Sequence, residues 1–398
     1  MAQILTPIYI TGLAIASALG EGTASTVAAL REGRSGLRRN DFLDCTLPTY
    51  IGRVSGLESE RLPAPLAQFD CRSNRLAQAG LRQDGFELRV ARAAERHGPH
   101  RVAVYLGTSS SGILEAELAF RHRDPASGAL PAGLSFRHTY NLYSVSDFVR
   151  QRLGLAGPAC VVSAACSSSA KAFAAAARAV AAGLCDAAVV GGVETLCLTT
   201  LHGFASLELL STQPCRPYDE ARDGISLGEA AAFALLEPVD RSGEALALLG
   251  YGESADAHHM STPHPQGLGA VRAMRAALQL ADVAAQDVDY LNLHGTGTRN
   301  NDAAEAAAVR AVFGNGVACS ATKGLTGHTL GAAGAVEAVI TLLALRHSFL
   351  PGTVNTRRAD PQFGLRLQFD TEAHPVARAM SNSFGFGGTN CSLLFGKA

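Results

Sequence analysis

Cys166 stands in the stretch VVSAACSSSAKAF, between an apolar run and a long alanine-rich segment, with little around it but Ser and Ala. Such a stretch reads as strand, small-residue turn and buried helix, which puts the cysteine at or just before a helix N-terminus. The unpaired N–H groups and the dipole of a helix start favour an anion there. A thiol whose ordinary pKa is about 8.5 is then expected to lean toward thiolate. Ser167, Ser168 and Ser169 are small and leave room for a substrate to approach. The alternative is a buried, inert cysteine, the usual fate of this residue in cores.

Three further stretches carry polar groups at strand ends. VDYLNLHGTGTRNND ends a strand at His294 and enters a loop made pliable by Gly295 and Gly297; a histidine satisfied by local turn groups is the competing reading. Downstream, Asp302 and Glu305 match a helix capping box. SATKGLTGHTLGAAGAVEAV sets Lys323 and His328 in a glycine-rich loop between a strand and a helix. The lysine precedes its glycines, so this is not a phosphate-binding P-loop, and Glu337 is a candidate partner for Lys323. SNSFGFGGTNCSLLFG brackets Phe386 with Gly385, Gly387 and Gly388. Such a loop can carry an aromatic lid and offer backbone N–H groups to an oxyanion, or be a hairpin turn with a core Phe.

One cysteine, two histidines, a lysine and a glycine loop suit nucleophilic catalysis. A cysteine hydrolase would need one histidine with an Asn or Asp orienter. A zinc site would use the same Cys and His, but no ligand pair has close spacing. His258, His259 and His264 lack a helical i, i+4 pair and read as loop polarity, so no metal is expected.

The elements that must position these groups alternate along the chain. Strands are expected at PIYITGLAI, RVAVYLGT, ACVVSAA, DAAVVGGVE, AAFALLEP, ALALLGYGE, VDYLNLHG, GVACSAT and CSLLFG. Helices are expected over 25–31, 146–153, 168–182, 269–280, 302–313 and 332–347. Strands apolar without strict alternation belong to sheets covered on both faces, so the fold class is α/β, in layers. An internal echo links ACVVSAACSSSAKAFAAAARAVAAG to GVACSATKGLTGHTLGAAGAVEAVITLLALRH, and IYITGLAI to ALALLGYGE. It suggests two similar halves, 1–240 and 241–398. The stretch 121–143 is long and Pro/Gly-punctuated, as functional or surface excursions are.

Composition narrows the classes. Apolar residues make up 47% and charged ones 17%, with 34 basic against 35 acidic side chains and a net charge of −1. That argues against a general nucleic-acid binder. Nine cysteines without a C-x-x-C fit a reducing compartment, the cytoplasm, better than a disulfide framework. The N-terminus lacks the basic residue of a signal peptide, and no membrane span is expected.

At these motifs the chain resembles the β-ketoacyl-ACP synthases, the condensing enzymes of fatty-acid and polyketide synthesis. AACSSSA is similar to the nucleophile motif, HGTGT and KGLTGHTLGAAGAVE to the two histidine motifs, and NSFGFGGTN to the gating motif; RPYDEARDGISLGEAAA and ADAHHMSTP are also similar. The histidine pair points to the elongating branch. The resemblance implies a thiolase-like fold of two duplicated halves in five layers, α-β-α-β-α. It implies Cys166 as nucleophile, His294 and His328 as donors to an enolate, and Lys323 as their support, paired with Glu337. Backbone N–H groups of Cys166 and Phe386 would form the oxyanion hole. Phe384, Phe386 and Asp256, with the loop 256–263, would gate the site, and Phe136 and Phe204 are pocket candidates. No cofactor is implied. The implied partners are acyl- and malonyl-loaded acyl carrier protein and a second subunit, as homodimer or heterodimer, paired through the strand near 159–165. The rivals are a non-catalytic chain-length partner, which Cys166 opposes; a thiolase or initiating synthase using CoA substrates, which His328 opposes; and an acyltransferase or hydrolase that stops at the acyl-enzyme. The motif set is shared between polyketide and fatty-acid enzymes, which motivates a specialised polyene or secondary-lipid role.

Overall fold

A computed structural model describes residues 4–398. Ten strands build its frame: β1 (Ile8–Ser17), β2 (Val102–Gly107), β3 (Ala159–Val162), β4 (Ala187–Glu194) and β5 (Ala230–Glu237), then β6 (Leu246–Ala255), β7 (Tyr290–Asn292), β8 (Ala318–Ser320), β9 (Arg378–Gly385) and β10 (Thr389–Lys397). They lie in the order β8-β7-β9-β10-β6-β1-β5-β4-β2-β3, with the short strand Arg366–Leu367 beyond β8. The pairing senses repeat. β1/β5 and β5/β4 are antiparallel and β4/β2 and β2/β3 parallel; β6/β10, β10/β9, β9/β7 and β7/β8 follow the same pattern.

The duplication extends to a defect. β1 slips register between Ile10 and Gly12, and β6 slips between Leu248 and Gly250, in IYITG and LALLG respectively. A slip of one residue exchanges the faces of a strand. Hence Ile8 and Ile10 share the central core with Leu13 and Ile15, while Ala14 and Ala16 face the outer one. β1 and β6 join the halves through Ile8–Leu248 and Tyr9–Ala247.

Helices fill three layers around the two half-sheets. Arg72–Leu81, Phe86–His97 and Ser144–Arg152 cover the first half-sheet, and Leu268–Ala281 and Arg299–Phe313 the second. Between the half-sheets lie Ser168–Ala181 and Ala333–His347, packed on each other. The segment Leu330–His347 is long and apolar enough to cross a membrane by composition, but 89% of it is buried inside the protein. An all-round apolar helix is what a central layer requires. Where the two helices cross, a Cβ on Gly334 would lie 2.5 Å from the Ala170 nitrogen, so glycine sets the approach.

Every expected strand is present. β9 was not expected as a strand, and neither were the arginine-bearing helices Arg72–Leu81 and Phe86–His97 as helices. The stretch 121–143 is largely exposed and irregular, apart from a tight coil over Phe136–Tyr140. All nine cysteines are free thiols.

Candidate active site

The groups singled out by sequence converge at strand carboxyl ends, where open α/β sheets place their sites. Cys166 follows β3 and His328 follows β8, so they occupy corresponding positions in the two halves, each just ahead of a central helix. The crossing of those helices brings Cys166 Sγ to 3.1 Å from His328 Nε2. The Ala335 N–H donates to Ser169 Oγ at 2.9 Å and ties the two helix starts together. His294 follows β7, and its ring centroid is 5.3 Å from that of His328 at 82°. Donor atoms of Cys166, His294 and His328 all lie within 4.8 Å of one another.

The turn that presents Cys166 is strained. Ala165 has φ +49°, a left-handed conformation that costs a non-glycine residue about 1–2 kcal/mol. Ser168 Oγ compensates locally, accepting from the Ala164 N–H at 2.8 Å and donating to the Ala165 carbonyl at 2.5 Å. Helix Ser168–Ala181 starts two residues after the cysteine, as expected.

The charge state departs from expectation. Burial pushes the Cys166 thiol up to about 12, against the opposing pull of Lys323 and of the Phe386 N–H that donates to the sulfur. The helix start does not offset the lost water, so the resting group is a thiol. Burial, then the Lys323 charge, holds both histidines well below their ordinary range, so both are neutral.

The two imidazoles are held differently. Lys323 Nζ donates to His294 Nδ1 at 3.2 Å, and also to the His294 carbonyl and to Glu337 Oε1. An ammonium only donates, so Nδ1 is the acceptor and the neutral ring carries its proton on Nε2. His328 Nδ1 is buried and has no hydrogen-bond partner among the described residues. Nothing fixes its tautomer, and Nε2 can accept from the thiol in one step and donate in another.

Two buried carboxylates hold the loops: Glu305, misread from the sequence, and Glu194, missed by it. Asp302 and Glu305 are not a capping box: helix Arg299–Phe313 begins after Thr298, and both lie within it. Glu305 accepts from the N–H groups of His294 and Gly295 at 2.8 and 2.9 Å and from Tyr218 Oη at 2.8 Å, fixing the histidine loop. Glu194, at the end of β4, accepts from the N–H groups of Ser109, Ser110 and Gly331 at 2.7–2.9 Å and links loops from both halves. A carboxylate ending an otherwise apolar strand was the available signal.

The glycine motif is both things proposed for it. β9, the turn Phe386–Gly388 and β10 form a hairpin, and its turn lies on the site. A Cβ on Gly385 would meet the Cys166 nitrogen and the Ala164 carbonyl at 3.1 Å, a tight contact that glycine avoids where the hairpin reaches the nucleophile turn. Phe384 packs its ring 6.0 Å from that of His294, and Phe386 lies 5.8 Å from Phe204. Asp256 clasps the hairpin: its N–H donates to the Gly388 carbonyl at 2.8 Å and its Oδ1 accepts from Asn390 at 2.8 Å. The Gly387 N–H donates to the Met260 carbonyl at 2.6 Å.

A cavity with about 60 Å³ of room for water-sized molecules joins Cys166, His294 and His328 to Phe204, Phe384, Phe386 and Asp256. Thr296 and Thr298 also line it, adding hydroxyls that the HGTGT motif carried unread. Phe136 does not line it: the residue is 63% exposed, with its ring against Tyr140. Aromatic character in a long excursion says nothing of burial, and the single chain does not bring Phe136 to the cavity as expected.

The chain is similar to known proteins along nearly its whole length. Residues 5–242 match the family model described as "Beta-ketoacyl synthase, N-terminal domain", and residues 246–357 the one described as "Beta-ketoacyl synthase, C-terminal domain". The chain is 33% identical over 420 residues to "3-oxoacyl-[acyl-carrier-protein] synthase 2" of Coxiella burnetii, covering 98% of each. Among solved structures it is similar to a ketosynthase in complex with its chain length factor from Xenorhabdus doucetiae, at 38% identity, TM-score 0.89 and coverage of 99% and 98%. The ishigamide ketosynthase/chain length factor is 26% identical at TM-score 0.89, with coverage of 99% and 100%.

Proposed function

The chain belongs to the β-ketoacyl synthase family, and from that premise we propose that Cys166, His328 and His294 divide a decarboxylative condensation between them. The reaction joins an acyl group from one acyl carrier protein to malonyl carried on another. The observation that supports the assignment is the 3.1 Å contact of Cys166 Sγ with His328 Nε2 beside a second, differently held imidazole.

In the first step the thiol must lose its proton to attack, and His328 Nε2 is the acceptor in reach. Sulfur bonds to the acyl carbon, the bond to the carrier thiol breaks, and the proton passes from His328 to the departing thiolate. Covalent capture splits one hard step into two easier ones. The oxyanion of this step falls to the N–H groups of Cys166 and Phe386. In the second step the malonyl C–C bond breaks to release CO2 and leaves an enolate on the carrier. His294 Nε2–H, with its proton fixed there by Lys323, donates to the enolate oxygen, and His328 joins it once its single ring proton has moved from Nδ1 to Nε2, which its unfixed tautomer allows. The enolate carbon bonds to the acyl carbon, the C–S bond to Cys166 breaks, and the sulfur regains a proton from solvent. No redox change occurs, and the loss of CO2 drives the step.

We read the partners from the same relatives. The carrier protein delivers both substrates. A second ketosynthase-fold chain pairs with the edge strand β3, whose four residues are only half-buried in the single chain. Two of the similar solved structures are titled as ketosynthases with chain length factors, which favours a related partner as well as a second copy. Native mass spectrometry of chain expressed alone decides: a stable dimer supports self-pairing, and a monomer supports the heterodimer. Nine free thiols support the cytoplasm as the compartment. A specialised polyene or secondary-lipid pathway is supported by the motif set; equal or faster turnover of saturated long-chain acyl carriers than of polyunsaturated ones would reject it.

The decisive experiment is intact-mass detection of an acyl adduct across a panel of acyl carriers, followed by malonyl carrier. The adduct forms on the wild type, is absent from Cys166→Ala, and disappears with CO2 release when malonyl carrier arrives. An adduct retained in Cys166→Ala, or one that only hydrolyses, contradicts the proposal.

A further inference from the structure

Cys166, His294 and His328 also form the donor set of a metal site. A thiol sulfur and two imidazole nitrogens are zinc-type ligands, and three of them with an open fourth position is the ligand pattern of catalytic zinc sites. All three donor atoms lie within 4.8 Å of one another in a buried cavity. A trap of this kind would inactivate the nucleophile, since metal binding displaces the thiol proton and occupies the sulfur.

We propose that Lys323 is the residue that keeps this trio free of metal. Two physical effects combine in one side chain. Nζ donates to His294 Nδ1 at 3.2 Å, so the neutral imidazole carries its proton on Nε2 and has no lone pair facing Cys166. A cation entering the trio would have to expel that proton toward a group that can only donate. Lys323 is also buried itself, paired with Glu337, and its charge reaches all three donors. A dication beside it in a site with little water meets a repulsion that an exposed lysine would not supply. The inference rests on donor atoms and proton positions and holds whichever reaction the site runs.

The test uses Co2+ as an optical substitute for Zn2+, because a cobalt–thiolate bond gives a near-ultraviolet charge-transfer band. Lys323→Met combined with Glu337→Gln removes the charge pair without leaving a buried orphan charge. Folding is checked by thermal melting. At one equivalent of Co2+ the folded double variant gains the band, and adding Cys166→Ser removes it. Its affinity exceeds the wild type's by at least about tenfold, read as a lower Co2+ concentration at half-maximal band intensity. Zn2+ then slows iodoacetamide labelling of Cys166 in the variant and not in the wild type. Binding by His258, His259 and His264 would give no thiolate band and would persist in Cys166→Ser. A folded double variant without the band overturns the proposal. So does a wild type that binds as tightly through Cys166, and that measurement stands even if the double variant fails to fold.

Discussion

At the scale of single residues, the two histidines should be separable. His328→Ala removes the proton acceptor 3.1 Å from the sulfur. Acylation is expected to slow by about 10²–10⁴-fold, the usual worth of a positioned base. His294→Ala should leave acylation largely intact and abolish condensation. Intact-mass time courses with acyl carrier alone, then with malonyl carrier, read the two steps apart; equal loss of acylation in both variants would contradict the division. The resting thiol makes a second expectation. With burial holding Cys166 near 12, its alkylation by iodoacetamide should climb steadily from pH 7 to beyond pH 10, where a thiolate–imidazolium pair would plateau in the acid range. These residues were legible in the sequence because each motif ends a strand and opens into small residues, serines after Cys166 and glycines around His294 and His328. The sequence could not give the charge state of Cys166, because that depends on how much water the other half of the molecule removes. Phe136 misled for the same reason: burial is not a property of the residue.

Between elements, the distance that matters is set where the two central helices cross. A side chain on Gly334 would collide with the backbone of Ala170. Gly334→Leu should cost about 1–3 kcal/mol through overpacking, and it should also widen the Sγ–Nε2 gap. The expected signature is a slower acylation rate at temperatures where melting curves show the variant fully folded. An unchanged rate would mean that the crossing does not set the gap. The helices themselves were legible from their alanine-rich, all-round apolar sequences. β9 was not: Ser381, Asn382 and Ser383 read as loop, yet all three are buried. Asn382 reaches Glu305 at 3.2 Å and accepts from Ser392 Oγ at 2.7 Å. A polar strand inside a core is recognisable only once its partners are in place.

For the whole molecule, buried thiols predict a pH limit to stability. Burial pushes Cys185 and Cys215 up to about 11 and Cys166 and Cys197 up to about 12. The native chain keeps these protons above about pH 8.5, where the unfolded chain releases them. The unfolded state then binds fewer protons, so the free energy of unfolding falls as pH rises. Their contribution is intact below about pH 8.5 and is lost through pH 11–12. Calorimetry should show a Tm level from pH 7 to 8.5 and lower by at least about 5 °C at pH 10.5; a flat profile would contradict the burial. The duplicated architecture was visible in the sequence echo, but the matched register slips of β1 and β6 were not, since a slip leaves no mark until strands are paired. The β9–β10 hairpin touches both the nucleophile and the His294 loop: Asn382 reaches the carboxylate behind His294, Phe384 faces its ring, Gly385 abuts the nucleophile turn and Phe386 donates to the sulfur. Anyone grafting a new chain-length preference onto this scaffold therefore inherits a linkage problem. A loop borrowed from a relative at 384–388 would retune both half-reactions at once, so the exchangeable module is the entire ribbon together with the Asp256 segment that fastens it.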